Sequence, residues 1–144
     1  MQEGSEQSSF QIVLESEEIE QSTGYWQKQC SILYNSINRN LNEGSIEPLS
    51  CGPSRDERGI ITIFSTLIAK GITANVFAKV LELIKVWLEN RPQAKITIKC
   101  PDESTFEISN MSLPNILEFF NTHQNLSICD SFALIKSSQK EVLT

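Results

Sequence analysis

The chain has 144 residues, of which 40% are hydrophobic and 21% are charged, and it carries a net charge of −6 with a pI of about 4.8. This composition is typical of one globular domain and excludes a wholly disordered or membrane-like chain. The acidic balance also argues against non-specific nucleic-acid binding, which needs clustered Lys and Arg to displace counterions. We therefore expect no nucleic-acid partner.

The first part of the chain predicts a strand, a helix and a second, short strand. Residues 1–9 are polar and are interpreted as a disordered lead-in. The apolar run FQIVLE predicts a strand near residues 10–15. A helix near residues 22–42 is indicated by apolar residues three or four positions apart: Trp26, Cys30, Leu33, Ile37 and Leu41. A short strand near residues 46–50 follows, and Pro48 would confine this strand to an edge of the sheet.

The most apolar stretch of the sequence spans residues 60–88 and is broken at Gly71. Its first half, IITIFSTLIA, is rich in β-branched residues, which by propensity would favour a strand. We favour a helix near residues 60–70, because the apolar residues also fit helical spacing. A second helix, near residues 73–90, begins at Thr73, a residue type that caps helix N-termini.

The C-terminal half predicts a hairpin and one more helix. Alternating apolar and polar residues indicate strands near residues 95–100 and 105–109. A short amphipathic helix is expected near residues 113–123, and the pattern then fades into a weakly ordered tail at residues 124–144. Residues 10–123 are thus expected to form a single α+β domain, in which three to four helices cover a small mixed or antiparallel sheet.

The sequence lacks the patterns of catalytic, cofactor and metal sites. Its single histidine, His123, has no accompanying nucleophile motif. The four cysteines are too dispersed for a zinc site. No glycine-rich phosphate-binding motif occurs, and the loop at residues 51–58 is only a weak candidate for a small-ligand site. We therefore predict no catalytic, cofactor-binding or metal-binding residues and no enzyme activity.

The cysteines and the start of the chain bear on location. The first residues do not combine a basic region with an apolar core, so we expect no secretory signal. Free thiols in the reducing cytoplasm are the corresponding expectation. Cys30 and Cys100 fall on apolar periodicities and are interpreted as small core residues.

The apolar stretch raises the question of a membrane. Ten residues, 60–69, precede Lys70, whereas a membrane-spanning helix needs about twenty. The second half carries Lys79 and Glu82, which would be costly inside a bilayer. We expect a core helix pair with surplus apolar area that could bind a partner. The candidate partner surface comprises Ile63, Leu67, Val76, Leu83 and Trp87. Conditional membrane association through residues 60–88 is an alternative.

Three consecutive segments, ERGIITIFSTLIAKG, NVFAKVLELIKVWLENRP and KITIKCPDESTFEIS, are similar in order and pattern to a known family. The helix end carries Trp87, Leu88 and Arg91, and the hairpin turn carries Pro101 and Asp102. This combination resembles the effector-associated constant component family of bacterial conflict systems. The sequence departs from the family pattern in having a single glycine, Gly71, between the central helices, and Glu103 where the turn has glycine.

The resemblance implies a non-enzymatic accessory or adaptor protein of an antiviral defence system. It implies a protein partner, either an effector such as a caspase-like or trypsin-like peptidase or a regulatory switch protein. A homo-oligomer is also compatible with the sequence. The alternatives are the membrane-associating component named above and a small ligand-binding domain that uses the loop at residues 51–58.

Overall fold

A computed structural model describes residues 9–16, 24–56, 59–108, 112–123 and 125–143, with the backbone alone at residues 50–56, 59–64, 113 and 137–143. In these ranges the strands form one antiparallel sheet in the order β2-β3-β1-β4-β5. The strands are β1 (Phe10–Ser16), β2 (Ser45–Asp56), β3 (Gly59–Lys70), β4 (Ala94–Lys99) and β5 (Thr105–Glu107). The helices are α1 (Gly24–Asn40), α2 (Ala74–Glu89), α3 (Leu113–Thr122) and α4 (Ile128–Leu143).

The predicted fold class, an α+β domain with a small antiparallel sheet, is confirmed. The strands predicted near residues 10–15, 46–50, 95–100 and 105–109 are present as β1, β2, β4 and β5. The helices predicted near residues 22–42, 73–90 and 113–123 are present as α1, α2 and α3. Apart from Ser9, the predicted lead-in lies outside the described residues.

The helix predicted near residues 60–70 is wrong, because this segment is β3. It pairs with β2 from Ser45↔Lys70 to Asp56↔Gly59. Its second half alternates in burial, with Leu67 and Ala69 buried and Ile68 partly exposed. A strand that is apolar on both faces gives a continuous apolar run, which fits the spacing of a helix as well as that of a strand. For this segment the β-branched composition therefore predicts the secondary structure better than the periodicity does.

The loop predicted at residues 51–58 is also wrong for most of its length. Residues 51–56 continue β2, and residues 57–58 lie outside the described part of the chain. The small-ligand alternative therefore loses the loop on which it depended. The membrane alternative loses the first of its two apolar helices, and no described helix is long and apolar enough to cross a bilayer.

The core lies between one face of the sheet and the helices. Burial alternates along β1 and β4, with every second residue buried: Phe10, Ile12, Leu14, Ala94, Ile96 and Ile98. α1 packs on α2, β2 and β3, while α3 packs on α2 and α4. α2 begins where predicted, since Thr73 Oγ1 accepts a hydrogen bond from the Val76 N–H at 3.3 Å.

An aromatic cluster joins the last helix to this core. The ring of Phe77 on α2 lies 5.4 Å from Phe10, 5.0 Å from Phe120 and 5.8 Å from Phe132, between ring centroids. Phe132 belongs to α4, and its side chain is fully buried. α4 lies within the segment predicted as a weakly ordered tail, so the core includes residues beyond 123. The division of the chain into lead-in, domain and tail stays a prediction.

A disulfide between Cys100 and Cys129 ties the end of β4 to the first turn of α4. The expectation of free thiols is therefore wrong for this pair, while Cys30 is free and buried, as a core residue. The Cα atoms of Cys100 and Cys129 are 6.1 Å apart although 29 residues separate them. Only the docking of α4 brings them together, which sequence spacing could not indicate.

Candidate functional site

The predicted partner surface is not an exposed patch. Leu67, Val76 and Trp87 are buried, and Leu83 is half-buried. The side chain of Ile63 lies outside the described part of the structure, which gives only its backbone in β3. The apolar stripe of α2 packs against the sheet instead of remaining uncovered. Whether any of these residues contributes to partner binding stays a prediction.

The exposed large apolar side chains lie elsewhere. On α1, Tyr25 is 62% exposed, and Ile32 is exposed two turns further along the same side of the helix. On α2, Val86 is 56% exposed. Such side chains are unremarkable when they stand alone, so a polar group beside one of them is needed to define a site.

Tyr25 lines a cleft of about 160 Å³ that supplies such a group. We call it the Arg91 cleft; it lies between the start of α1, the end of α2 and the start of β4. Gln29, Asn90 and Arg91 also line it. Asn90 stands one helical turn after the exposed Val86, and its side-chain amide donates to the Val86 carbonyl at 3.0 Å.

Two hydrogen bonds and a ring contact hold the Arg91 guanidinium in place. Its Nε–H donates to Gln29 Oε1 at 2.7 Å, and Nη1 donates to the Trp87 carbonyl oxygen at 3.1 Å. The guanidinium carbon lies 5.0 Å from the centroid of the Trp87 ring. Trp87 is itself fixed, because its indole N–H donates to the Gln29 carbonyl oxygen at 3.0 Å. Gln29 therefore links α1 to both residues.

These two hydrogen bonds do not use all the N–H donors of the Arg91 guanidinium. A guanidinium has five N–H groups, and the two hydrogen bonds above use two of them. Within the described residues the other N–H groups have no acceptor, and Arg91 is partly exposed. An immobilised guanidinium fork can bind a carboxylate through two parallel hydrogen bonds. Chemically, the cleft can receive an acidic side chain or a chain terminus, with Tyr25 as an adjacent apolar contact.

Sequence reasoning found only part of this site. Trp87 and Arg91 belong to the helix end on which the resemblance rests, and their contacts show that they fasten α2 to α1. In the sequence, Tyr25 lies directly before Trp26 of the apolar stripe, and Gln29 carries no signal. An aromatic residue beside the apolar stripe of a helix is expected to be exposed, so the exposure of Tyr25 could have been predicted. The role of Gln29 could not, because it depends on a contact with a residue 62 positions away in the sequence.

A larger cleft of about 380 Å³ lies at the opposite end of β1. Its charged residues are Lys70, Lys99 and Glu103, all of them exposed, and none of its polar side chains is buried. Exposed lysines are mobile and hydrated, and Glu103 partly cancels their charge. Despite its size, this cleft presents no fixed group to a ligand.

Candidate nucleophiles and acids are held in structural roles. Burial raises the pKa of the Cys30 thiol to about 12, so it stays protonated and unreactive at neutral pH. Hydrogen bonds from Ser104 lower the pKa of Asp102, which stands in the hairpin turn as a carboxylate. His123 stacks on Phe119 at the end of α3, with 4.0 Å between ring centroids. In the described part of the chain, no three His, Cys, Asp or Glu residues are grouped to hold a metal ion.

Comparison of the chain with known proteins finds no matching family model, no similar curated protein and no similar solved structure. The resemblance to the effector-associated constant component family therefore stays a prediction.

Proposed function

We propose that this chain is a non-enzymatic accessory or adaptor protein that binds an effector in a bacterial conflict system. The Arg91 cleft carries the proposal, since it places an immobilised guanidinium beside an exposed aromatic ring. The resemblance supplies the class of partner, which is a caspase-like or trypsin-like peptidase or a switch protein that regulates one. The cleft would receive a carboxylate of that partner, and Tyr25 would pack against the apolar surface around it.

The composition of the cleft supports this reading. Tyr and Arg are enriched among the residues that dominate protein–protein binding energy, because each adds a large contact area or several hydrogen bonds at small entropic cost. The entropic cost is lower still here, since Gln29 and Trp87 already hold Arg91.

The test is co-purification of the full chain with the protein encoded next to it, followed by titration of the purified pair. We expect a complex whose Kd rises at least about tenfold in a Tyr25→Ala variant, a loss of about 1.4 kcal/mol. Arg91→Lys should weaken the complex as well, because lysine has no planar fork. Leu134→Ala is the matched control, since Leu134 is 48% exposed on α4, which does not line the cleft.

Failure to form a complex with the neighbouring protein would contradict the adaptor proposal. A complex that Tyr25→Ala and Arg91→Lys leave unchanged would contradict the cleft as its site. Both variants should keep the far-ultraviolet spectrum of the unmodified protein, so that a loss of binding is not a loss of folding.

A cytoplasmic location is part of this proposal. Disulfides seldom persist in the cytoplasm, where glutathione and thioredoxin keep thiols reduced. The Cys100–Cys129 disulfide of the structure is then a bond that the reducing cytoplasm should break. Both cysteines should be found reduced in cells whose thiols are trapped at once with an alkylating reagent. A pair that is oxidised under these conditions in unstressed cells would place the protein in another compartment.

A further inference from the structure

The hairpin of β2 and β3 extends beyond the rest of the sheet. β1 pairs with β3 only from Phe10↔Ala69 to Val13↔Thr66. Residues 59–64 of β3 pair on one side with residues 50–56 of β2, and none of the residues that the structure describes pairs with their other edge. We call these two segments the distal arm.

The arm leaves the sheet at a defined place. The pairing of β2 with β3 shifts register between Leu49 and Ser50 and again between Ser50 and Gly52. Bulges of this kind bend and twist a strand pair. They fall beside Thr66, where pairing with β1 stops. Within the described part of the chain the arm is therefore a two-stranded ribbon, and isolated two-stranded ribbons are only marginally stable in water.

The two outer edges of the arm, which no described residue pairs with, differ in sequence. On the arm, β2 carries Pro53, Arg55 and Asp56. Proline and charged residues are the usual protection of an edge strand against pairing with another chain. Residues 59–64 of β3, GIITIF, contain neither a charge nor a proline. The β2 edge is thus protected, whereas the β3 edge has the composition of a strand that is paired on both sides.

We propose that the β3 edges of two copies of this chain pair with each other, so that the two arms form one continuous four-stranded sheet. Antiparallel pairing about a two-fold axis places Gly59 opposite Phe64 of the second copy, Ile60 opposite Ile63 and Ile61 opposite Thr62. Every pair is uncharged, so the edge is complementary to itself although each chain carries a net charge of −6. Pairs of β-branched residues are favourable between strands, and an aromatic residue compensates for an edge glycine.

The arrangement closes at two copies. Both β3 edges are used in the contact, and the outer edges of the new sheet are the protected β2 strands. None of the residues of the Arg91 cleft lies in the arm, so this contact is independent of the proposed binding of an effector. An experiment that contradicts the dimer does not contradict effector binding at the Arg91 cleft, and the reverse also holds.

The test is the molar mass of the full chain in solution, measured by sedimentation at increasing concentration. We expect twice the 16.2 kDa of one chain, and an increase of at least about tenfold in the dimer dissociation constant in a Thr62→Lys variant. Leu49→Lys is the matched control, because Leu49 is exposed on β2 and the contact uses only β3. This variant should remain dimeric.

If the Thr62→Lys variant does not fold, amide hydrogen exchange of the unmodified chain provides a second test of the dimer. In the unmodified chain, amides of residues 59–64 should become more protected as protein concentration rises, while those of residues 94–99 should not change. A chain that stays monomeric at high micromolar concentration would overturn the proposal. It would equally be overturned by a dimer that a folded Thr62→Lys variant leaves intact, or by assemblies that grow beyond two copies.

Discussion

At the scale of single residues, Glu103 is the one residue other than glycine that has a positive φ angle in the described part of the chain. Its φ angle is 73°, in the left-handed region that side chains with a Cβ rarely adopt. It follows Asp102 in the turn of the β4–β5 hairpin, at the position where the resembling family has glycine. Hydrogen bonds from Ser104 to Asp102 hold the turn in this geometry. The positive φ angle explains why glycine, which has no Cβ, is favoured at the position of Glu103.

Replacement of Glu103 by glycine should stabilise the protein. A left-handed conformation costs an L-residue about 1–2 kcal/mol, and the extra freedom of glycine in the unfolded chain offsets about half of this. We expect the free energy of unfolding to rise by about 0.5–1 kcal/mol in urea denaturation. Glu103→Ala is the control, because it removes the carboxylate but keeps the Cβ. An equal gain in both variants would assign the effect to charge and not to the backbone.

The Cys30 thiol gives a prediction about pH. Its pKa is raised from 9.0 to about 12 by burial, so above pH 9 the unfolded chain loses this proton while the folded chain keeps it. The stabilising contribution is complete below pH 9 and is lost as the pH rises towards 12. Between pH 8 and 10, the free energy of unfolding should fall by up to about 1.4 kcal/mol more than in a Cys30→Ala variant.

Both proteins in this comparison should carry Cys51→Ser, so that no second thiol titrates. The difference between them isolates Cys30, because Tyr and Lys residues contribute equally to both. Parallel pH profiles would contradict the predicted loss. Mass mapping after alkylation at pH 8 gives an independent check, since Cys30 should react only in the unfolded chain.

At the scale of elements, the disulfide is the clearest link between β4 and α4. Closing a loop of 29 residues restricts the unfolded chain and stabilises the folded state by about 3–4 kcal/mol in the chain-entropy model. Reduction should lower the free energy of unfolding by about that amount. A Cys100→Ala/Cys129→Ala variant should show the same loss and no further response to reductant. If reductant changes nothing in the unmodified protein, the bond makes no contribution to stability.

The elements also show where sequence reasoning succeeds and fails. α2 was predictable because Thr73 marks its start and its polar residues leave one apolar face. β3 was not, because an unbroken apolar run satisfies every period and only β-branching distinguishes strand from helix. The Arg91 cleft was half predictable, since Trp87 and Arg91 stand out in the sequence while Gln29 and Tyr25 acquire their roles only when α1 packs on α2.

At the scale of the whole molecule, the aromatic cluster predicts that α4 unfolds together with the rest of the core. Phe132→Ala should lower the free energy of unfolding by about 3–5 kcal/mol, because it removes a fully buried ring that contacts Phe77, Phe106 and Phe120. Fluorescence of Trp26 and Trp87, which lie on α1 and α2, provides the measurement.

The exposed Leu134 offers a matched control on the same helix, and Leu134→Ala should change the free energy of unfolding by less than about 0.5 kcal/mol. A Phe132→Ala variant whose tryptophan-detected unfolding is unchanged would contradict a shared core. In that case residues 124–144 would behave as the weakly ordered tail that the sequence predicts.

The order β2-β3-β1-β4-β5 has a consequence for synthesis on the ribosome. Of the described strands, β1 is made first and is the middle strand of the sheet, and its partners β3 and β4 are made much later. At about 5–20 residues per second, the roughly 80 residues between β1 and the end of β4 take about 4–16 s to translate. Both edges of this apolar strand are open until β3 is complete at Lys70, and one edge stays open until β4 is complete at Lys99. A chaperone that shields residues 10–16 would therefore act at the step where this protein is most exposed to aggregation.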